Sequence, residues 1–359
     1  MIHITFDNIV FGLQKAGGIS VVWYELLKRA LKDNNVSAKV LDYGKDNIFR
    51  RLLDIPIDTV ISDKDKVTLW DRYRPVKIHS SENMIFHSSY FRIVNSPKVQ
   101  NVTTVHDFTY EKYLNGMRHA VHIYQKKYAI NHADRLICVS HNTKKDLLEY
   151  FPHIDESKVA VVYNGVDTAY HQLSATDKRQ IECKFDKKGF LLYVGDRKCD
   201  YKNFDLVVAL AAQSHIPLVI VGGGALSAVE KERLHQTLDE KNYQHFIGLS
   251  NEALNELYND AFALVYPSKY EGFGVPILEA QAAGCLVIAG QHSSIPEVSG
   301  QAAFLLQDLS LGALSSLVMD LKSGRIKADK YRQQGFINAQ KFSWDKSYEH
   351  LIREYNKLC

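Results

Sequence analysis

The strongest constraint on the fold of this chain is a series of strand, glycine turn and helix that occurs twice, about half a chain apart. The first series runs from the apolar stretch Ile2–Phe6 through Gly17–Gly18 into a segment with helical spacing of apolar residues. The second runs from Phe190–Val194 through Gly195 into a similar segment after Asn203. Strands that alternate with helices are typical of α/β proteins with parallel sheets. We therefore expect two doubly wound domains that face each other across a cleft.

Further apolar runs fill both halves of the chain and indicate a domain boundary. The stretch NGVD, Asn164–Asp167, is a turn-type sequence directly after one of these runs, and we predict the hinge there. The expected domains are residues 1–165 and 166–341, and the helical spacing of residues 342–359 lets this last segment pack back on the first domain. The runs predicted as strands are Val102–Val105, Arg135–Val139, Val159–Val162, Leu218–Val221, Phe262–Tyr266 and Leu286–Ala289.

Composition favours a cytoplasmic globular protein. Of the 359 residues, 46% are hydrophobic and 24% are charged, and no apolar run approaches the ~20 residues that span a bilayer. The N-terminal stretch MIHITFDNIV lacks the basic start and the cleavage site of a signal peptide. The five cysteines form no CxxC pair, as expected for free thiols in a reducing compartment. A net charge of +3 is too small to indicate nucleic-acid binding.

The most informative stretch begins at residue 270, reads YEGFGVPILEAQAAGC and carries two glutamates. Pro276 suits the first turn of a helix and Gly284 suits the position after its end, so we predict a helix over Pro276–Ala283. Glu279 then lies near the first turn, and Glu271 lies in the loop before it. Spacing alone leaves two interpretations open. The charges complement the helix dipole and face solvent, or they serve a ligand at the helix N-terminus.

This stretch resembles the E-x7-E signature of the retaining glycosyltransferases of family 4, which have the GT-B fold of two Rossmann-like domains. The resemblance covers nearly the entire chain and is weakest over residues 34–83. It implies an α/β protein of GT-B architecture. The other stretches that carry it are, in order, TVHDFTYEKY from residue 104, NHADRLICVSHNTKKDLLEYF from 131, VVYNGVD from 161, LLYVGDRKCDYKNFD from 191 and SSIPEVSG from 293.

The resemblance implies a role for each glutamate. Glu271 is expected to contact the donor sugar, and Glu279 is expected to hold the ribose hydroxyls of the nucleotide. A carboxylate can accept hydrogen bonds from two adjacent hydroxyls, which would account for a charge in an apolar segment. Gly272, Phe273 and Gly274 complete the expected nucleotide-sugar-binding loop, because glycines let backbone N–H groups approach a ligand.

Two basic residues, Arg197 and Lys202, lie in the loop after the second glycine turn. The resemblance implies that they grip the donor diphosphate and supply positive charge as the glycosidic bond breaks. In the family the arginine often follows the turn glycine directly, whereas Asp196 intervenes here. On the other domain, Gly17 and Gly18 are implied to admit the diphosphate, although a glycine pair before a helix also suits a packing turn.

His106 follows the predicted strand Val102–Val105, at a carboxyl-end loop of the kind where doubly wound sheets bind ligands. A His-Asp pair in such a place is often structural, but the resemblance implies that His106 lies beside the donor sugar and the reacting centre. Whether it acts in acid–base chemistry or positions the donor stays open. Retaining members of the family have no agreed carboxylate nucleophile, so Glu271 is expected to position the donor. The residues expected at the catalytic centre are His106, Glu271, Arg197 and Lys202.

Two other patterns suggest different chemistry, and both are incomplete. Asp63-Lys64-Asp65 spells the DxD of metal-dependent glycosyltransferases, but it lies in the charged run SDKDK, which suits a solvated turn. The stretch VIVGGGALS from residue 219 has Ser227 where the GxGxxG pattern of dinucleotide-binding proteins needs glycine. We expect no metal and no other cofactor, and a dinucleotide-dependent oxidoreductase is the first alternative function.

A predicted helix over residues 118–135 collects basic residues beside aromatic ones. This pattern is compatible with peripheral contact at the inner face of the cytoplasmic membrane, and also with a solvated helix face. The basic residues of interest are His119, His122, Lys126 and Lys127.

The sequence therefore predicts a retaining, metal-independent hexosyltransferase. We expect it to move a hexose-type sugar from a GDP- or UDP-linked donor to a saccharide or polyprenyl-linked acceptor, in the biosynthesis of a bacterial polysaccharide such as O-antigen or capsule. The stretches YKNFD and SSIPEV resemble those of bacterial mannosyltransferase-like enzymes. A second alternative is a catalytically silent subunit that binds a nucleotide sugar. No nucleic-acid partner is expected.

Overall fold

The protein consists of two compact units in a computed structural model that describes residues 1–64, 66–78, 82–114, 116–174, 176–177 and 180–359. The first unit is Met1–Asn164 together with Trp344–Cys359, and the second is Gly165–Ser343. The chain therefore leaves the first unit once and returns to it with its last helix. Asp65, the final residue of the DxD pattern, lies outside the described ranges.

The first unit contains a parallel sheet whose strand order reverses in the middle. Its strands are β1 (Ile2–Asp7), β2 (Val36–Tyr43), β3 (Val60–Lys64), β4 (Met84–Ser88), β5 (Val99–Val105), β6 (Arg135–Cys138) and β7 (Val159–Val161). Their order across the sheet is β3-β2-β1-β4-β5-β6-β7, and every neighbouring pair is parallel. The order reverses between β1 and β4, and doubly wound sheets bind ligands at the carboxyl ends of the strands at such a point.

The second unit repeats this plan with its own parallel sheet. Its strands are β8 (Leu191–Val194), β9 (Leu218–Val221), β10 (Tyr243–Phe246), β11 (Ala263–Tyr266), β12 (Leu286–Gly290) and β13 (Phe304–Leu306). Their order is β10-β9-β8-β11-β12-β13, so the reversal lies between β8 and β11. Each strand predicted from the sequence is present, with bounds that differ by a few residues.

Helices pack on these sheets. Those of the first unit are α1 (Ile9–Leu13), α2 (Gly18–Ala30), α3 (Ile48–Arg51), α4 (Leu69–Tyr73), α5 (Thr109–Tyr113), α6 (Met117–His132), α7 (His141–Tyr150) and α15 (Trp344–Asn356). Those of the second are α8 (Phe204–Ser214), α9 (Ala228–Thr237), α10 (Asn251–Asp260), α11 (Val275–Ala282), α12 (Ile295–Ser299), α13 (Leu311–Lys322) and α14 (Asp329–Ala339). Within the described ranges, no helix has the length and apolar composition needed to cross a bilayer.

The core of the second unit lies on both faces of its sheet because successive strand residues point to opposite sides. Leu191 packs in one buried cluster with apolar residues of α8 and α13, whereas Leu192 packs in another with residues of α10 and α11. Strands buried on both faces are continuously apolar, as in LLYV and LVIV. This arrangement holds the loops at the carboxyl ends of β8, β9 and β11 along one edge.

The C-terminal helix α15 belongs to the core of the first unit. Leu351 and Tyr355 lie in the same buried cluster as residues of β1 and α2. The Tyr355 hydroxyl lies 2.5 Å from His87 Nδ1 in β4, and both residues are fully buried. Burial also lowers the pKa of His87 to about 3, so its ring is neutral.

Candidate active site

The second unit brings Lys202 and Glu271 together where its strand order reverses. Lys202 ends a short 3-10 turn after β8, and Glu271 lies in the loop after β11. Lys202 Nζ is 2.9 Å from Glu271 Oε1, and the two side chains are only 16% and 14% exposed. The pair therefore lies at the edge of the sheet where a doubly wound fold offers a ligand site.

Two serines fix the backbone of the loop Glu271–Gly274. The Glu271 N–H donates to Ser293 Oγ at 2.8 Å. The buried Ser294 hydroxyl lies 2.8 Å from the carbonyl oxygen of Glu271 and 2.9 Å from that of Phe273. Gly274 is the N-cap of α11 and has a φ of +104°. A positive φ of this size favours glycine. The loop is thus held in one shape by a neighbouring segment, SSIPEV.

Glu279 lies one turn into α11 among buried tyrosines. The Tyr258 hydroxyl donates to Glu279 Oε2 at 2.8 Å, and the Tyr170 hydroxyl, which lies 3.2 Å from Asn251 Oδ1, is near enough to favour the Glu279 carboxylate as well. Burial raises the pKa of Glu279 to about 7, an effect that the two tyrosines oppose and the nearby Asp167 carboxylate increases. At neutral pH the group is therefore about half protonated, and any further hydroxyl donor would favour its anion.

Arg197 contacts a different part of the second unit. Its guanidinium lies against the turn after β9, with Nη1 2.6 Å from the carbonyl oxygen of Gly222 and Nε 2.9 Å from Glu230 Oε1. The side chain is 1% exposed. The Arg197 guanidinium therefore contacts the turn after β9, whereas Lys202, from the same loop as Arg197, pairs with Glu271 in the loop after β11.

His106 lies in the first unit, directly after β5. Burial lowers its pKa to about 4, an effect that the Asp107 carboxylate opposes and the charge of Lys126 reinforces. The imidazole is therefore neutral near pH 7. Lys126 is itself held by Glu111 at 3.0 Å and by the carbonyl oxygen of Asp107 at 2.5 Å.

The glycine pair of the first unit lies at the start of α2. Gly17 is extended, and a Cβ there would approach the flexible side chain of Gln14. A Cβ on Gly18 would meet no atom within 4 Å among the described residues. Packing among the described residues therefore does not require glycine at position 18. A ligand that approaches the backbone there would require it.

The structure corrects the pattern of basic residues predicted on α6. His122 and Lys126 are buried, because His122 stacks on Tyr110 and Lys126 lies over the ring of Phe108. Among the described side chains of this helix, the exposed large apolar ones are Val121, 43% exposed, and Tyr124, 71% exposed. The basic face is consequently smaller than the sequence suggested.

Several residues near these loops were missed by sequence reasoning. Tyr170 and Tyr258 carried no local signal, because their partner Glu279 is distant in sequence. Glu230 was detectable as the fourth residue of SAVE, a capping box in which Ser227 and Glu230 bond each other's backbone N–H. That pattern indicates a helix start and gives no hint of a contact with Arg197.

The fold defines the class of this protein. Two parallel sheets, each with a reversal of strand order and with connecting helices, are the mark of a protein with two Rossmann-like domains. Residues 16–170 match the family model described as Glycosyltransferase Family 4, and residues 174–338 match the model described as Glycosyl transferases group 1. The chain belongs to these glycosyltransferases. The matches do not favour the oxidoreductase alternative.

Curated relatives in this family include two enzymes of Escherichia coli. The O-antigen chain mannosyltransferase B is 24% identical over 300 residues, which cover 77% of this chain and 75% of the relative. The UDP-Gal:alpha-D-GlcNAc-diphosphoundecaprenol alpha-1,3-galactosyltransferase is 28% identical over 312 residues, which cover 79% of this chain and 78% of the relative.

Solved structures with the same fold include two that match along the whole chain. Anabaena HepE in complex with UDP has a TM-score of 0.70 at 14% identity and covers 99% of this chain and 100% of its own. Sucrose-phosphate synthase from Thermosynechococcus elongatus has a TM-score of 0.72 at 16% identity, with 100% and 99% covered. The likeness confirms the GT-B fold predicted from the sequence.

Proposed function

We propose that this chain is a retaining, metal-independent hexosyltransferase of bacterial surface-polysaccharide biosynthesis. It transfers a hexose from a GDP- or UDP-linked donor to a saccharide or lipid-linked acceptor. The observation that carries the proposal is the Lys202–Glu271 pair, 2.9 Å apart at the reversal of strand order, with Glu279 on the helix that follows the same loop. The names of the two E. coli relatives, which specify a mannosyltransferase and a UDP-galactose-dependent enzyme, support the donor class.

In this proposal the donor replaces contacts that the free protein makes internally. Glu279 accepts hydrogen bonds from the ribose hydroxyls, which favours its anion in a buried setting. Lys202 turns its ammonium group to the diphosphate, and Glu271 is then free to accept from a hydroxyl of the hexose. Each of these contacts is charge-assisted and is partly shielded from water, which strengthens it.

The proposed reaction proceeds on one face of the sugar. The bond from the anomeric carbon to the diphosphate oxygen breaks, and the acceptor oxygen bonds to that carbon from the same side. The acceptor's hydroxyl proton passes to the departing phosphate oxygen. Lys202 stabilises the charge that develops on the diphosphate, a contribution that grows as the bond breaks.

We assign the remaining predicted residues to the same reaction. His106 carries a neutral imidazole near pH 7, which suits a hydrogen bond to the donor sugar better than a role as a cationic acid. Gly18 has open space beside it among the described residues at the N-terminus of α2, and with Gly17 it suits an approaching diphosphate. Gly272, Phe273 and Gly274 shape the loop that carries Glu271. Arg197 was predicted to share the diphosphate with Lys202, and its guanidinium lies against the turn after β9.

The charge at the diphosphate supports the metal-independent part of the proposal. Lys202 supplies a cation there, and the N-terminus of α11 adds partial positive charge close to the Glu271 loop. Activity is therefore expected to persist in excess EDTA. A transfer activity that disappears with EDTA and returns with Mg²⁺ or Mn²⁺ would contradict this part.

Contact with the acceptor and with the membrane stays a prediction. The exposed Val121 and Tyr124 on α6 give a small apolar surface beside the basic Lys127, the combination that interfacial helices use. Co-sedimentation with vesicles that contain anionic lipid tests this contact, and recovery of all the protein in the supernatant would argue against it.

The experiment for the proposed function is a transfer assay with a panel of UDP- and GDP-hexoses and a polyprenyl-diphosphate saccharide acceptor. We expect turnover with at least one donor and, by NMR of the product, the donor's anomeric configuration. An inverted product would contradict the retaining mechanism. Nucleotide-sugar binding without transfer or hydrolysis would favour the silent-subunit alternative.

A further inference from the structure

We infer that Arg197 and Glu230 act together as positioning residues that hold the turn Gly222–Ala225 beside the nucleotide. On this inference Lys202, and not Arg197, is the main cationic ligand of the diphosphate. The inference rests on the proposed nucleotide-sugar site, and it gives Glu230 a part in that site.

The guanidinium of Arg197 already has protein partners for most of its donors. Arginine has five N–H groups in a fixed fork. Four of them have acceptors in the second unit, which are Glu230 Oε1 at 2.9 Å and the carbonyl oxygens of Gly222, Gly224 and Ala225 at 2.6, 3.0 and 3.1 Å. His245 Nε2 lies 3.3 Å from Arg197 Nη1 and 3.1 Å from the carbonyl oxygen of Gly222, so it accepts from Arg197 in one tautomer and donates to Gly222 in the other.

The turn that Arg197 contacts has little intrinsic preference for its shape. Gly222, Gly223 and Gly224 follow β9 directly and have φ values of +98°, +71° and +69°. Three successive glycines lose much conformational freedom when they are ordered. A Cβ on Gly223 would lie 2.5 Å from Arg197 Nη1, so the turn packs tightly on the guanidinium. Side-chain contacts from Arg197 therefore supply the order that the glycines lack.

The turn also contacts the loop that carries Lys202. Because β9 is the neighbour of β8, the turns after the two strands are adjacent. A Cβ on Gly222 would lie 3.0 Å from the carbonyl oxygen of Gly195, the residue at which the Lys202 loop begins. A displaced turn would consequently disturb the position of Lys202. The outer side of Gly224 meets no described atom within 4 Å, which leaves room for a ligand there.

Charge and burial separate the roles of the two basic residues. The Arg197 side chain is 1% exposed and its charge is balanced by Glu230, which the capping box with Ser227 fixes at the start of α9. Burial of Glu230 raises its pKa, but hydrogen bonds from Ser227 and the charge of Arg197 outweigh this and keep the pKa below its usual value. A phosphate that took a donor from Arg197 would leave a carbonyl or carboxylate without its partner. The Lys202 side chain is more exposed, at 16%, and its ammonium group lies where the strand order of the second unit reverses.

Hydrogen exchange of the full-length free protein tests whether the turn is held. We expect amides of the segment 218–230 to exchange roughly tenfold faster in Glu230→Gln and in Arg197→Lys than in the wild type. Lys202→Met is the matched control and should leave this segment unchanged. Wild-type exchange rates in both Glu230→Gln and Arg197→Lys would overturn the inference.

Titration of the same variants with nucleoside monophosphates and diphosphates, of uracil and guanine, tests the division of roles. Glu230→Gln should weaken binding of the monophosphate roughly tenfold and binding of the diphosphate at least as much, because the displaced turn also disturbs Lys202. Lys202→Met should weaken the diphosphate more than the monophosphate. A selective loss of the diphosphate in Arg197→Lys, with wild-type binding in Glu230→Gln, would overturn the inference. If the wild type binds no nucleotide while the exchange result holds, the proposed site fails and the contact of Arg197 with the turn stands.

Discussion

Glu279 is a residue under two opposing demands. A carboxylate that is withdrawn from water favours its protonated form, and burial raises its pKa to about 7. The hydroxyls of Tyr258 and Tyr170 favour the anion, but they do not restore the usual pKa. In the proposed complex the ribose hydroxyls add donors to the same group. In the free protein the anion of Glu279 is therefore unfavourable, and a ligand that donates hydrogen bonds to it would stabilise it.

This shift predicts a pH dependence of donor binding. For a pKa of about 7, the anionic fraction of Glu279 rises from about a tenth at pH 6 to about nine tenths at pH 8. If the anion is the form that binds, affinity for an intact nucleotide sugar, whose diphosphate has no proton to lose in this range, should rise about tenfold. Glu279→Gln should bind more weakly and show no such rise.

Calorimetric titration at several pH values checks this prediction. The wild type should release protons on binding near pH 7, and the Gln variant should not. Equal pH dependence in both proteins would show that another group is responsible. His106 is a poor candidate for that group, because its pKa of about 4 lies outside the range.

Residue types alone indicated some of the site and not the rest. Glu271 and Glu279 stand in one continuous stretch with its own helix signals, so their placement near a helix N-terminus could be predicted. The destination of Arg197 could not, because the turn it contacts follows the neighbouring strand β9. The position of β9 beside β8 depends on pairing between strands that are distant in sequence.

At the scale of elements, α11 shows how local signals set a helix. Gly274 is its N-cap with a φ of +104°, Pro276 occupies its first turn, and Gly284 follows its end with a φ of +73°. The sequence predicted Pro276–Ala283 and the structure has Val275–Ala282, a shift of one residue. Caps determine helix ends to about this precision.

Gly284 gives a stability prediction with a matched control. A Cβ there would lie 2.7 Å from Phe336 of α14, whereas a Cβ on Gly324, with the same φ of +73°, meets no described atom within 4 Å. Gly324→Ala should lower the free energy of unfolding by about 1–2 kcal/mol, the cost of a left-handed conformation. Gly284→Ala should lower it by a further 1–3 kcal/mol through overpacking.

Urea denaturation of the two variants measures the difference. Equal losses would show that Phe336 moves away freely and that the α11–α14 contact is loose. A smaller loss in Gly284→Ala than in Gly324→Ala would contradict the assigned clash.

Several of the strands that sequence reasoning missed, among them β3, β4 and β10, have mixed polarity. The edge strands β3 and β10 carry charged or polar residues, VISDK and YQHF, as edge positions allow. The strand β4 is central, yet its sequence MIFHS ends in His87 and Ser88. Both are buried and bonded, His87 to Tyr355 and Ser88 to Asp7, and such partners are known only from the folded chain.

At the scale of the whole molecule, the same plan is used twice. Each unit has a parallel sheet with one reversal of strand order, and the last helix, α15, packs on the first unit. Helical spacing predicts that α15 has a buried face. It does not predict which elements the helix contacts, such as Arg135 of β6, which pairs with Glu354. The alternation of strands and helices sufficed to predict two doubly wound domains, and the resemblance to the family implied the GT-B fold.

In the proposed function, the second unit binds the nucleotide of a sugar donor through Glu279 and directs the sugar through Glu271. Calorimetric titration with UDP and GDP, followed by transfer assays with the matching hexose donors, tests it most directly. We predict that the wild type binds one nucleotide and that Glu279→Ala weakens this binding at least about tenfold, as expected for lost charge-assisted bonds. Glu271→Ala should bind the nucleotide nearly as the wild type does and lose transfer. Unchanged binding and unchanged transfer in both variants would contradict the account.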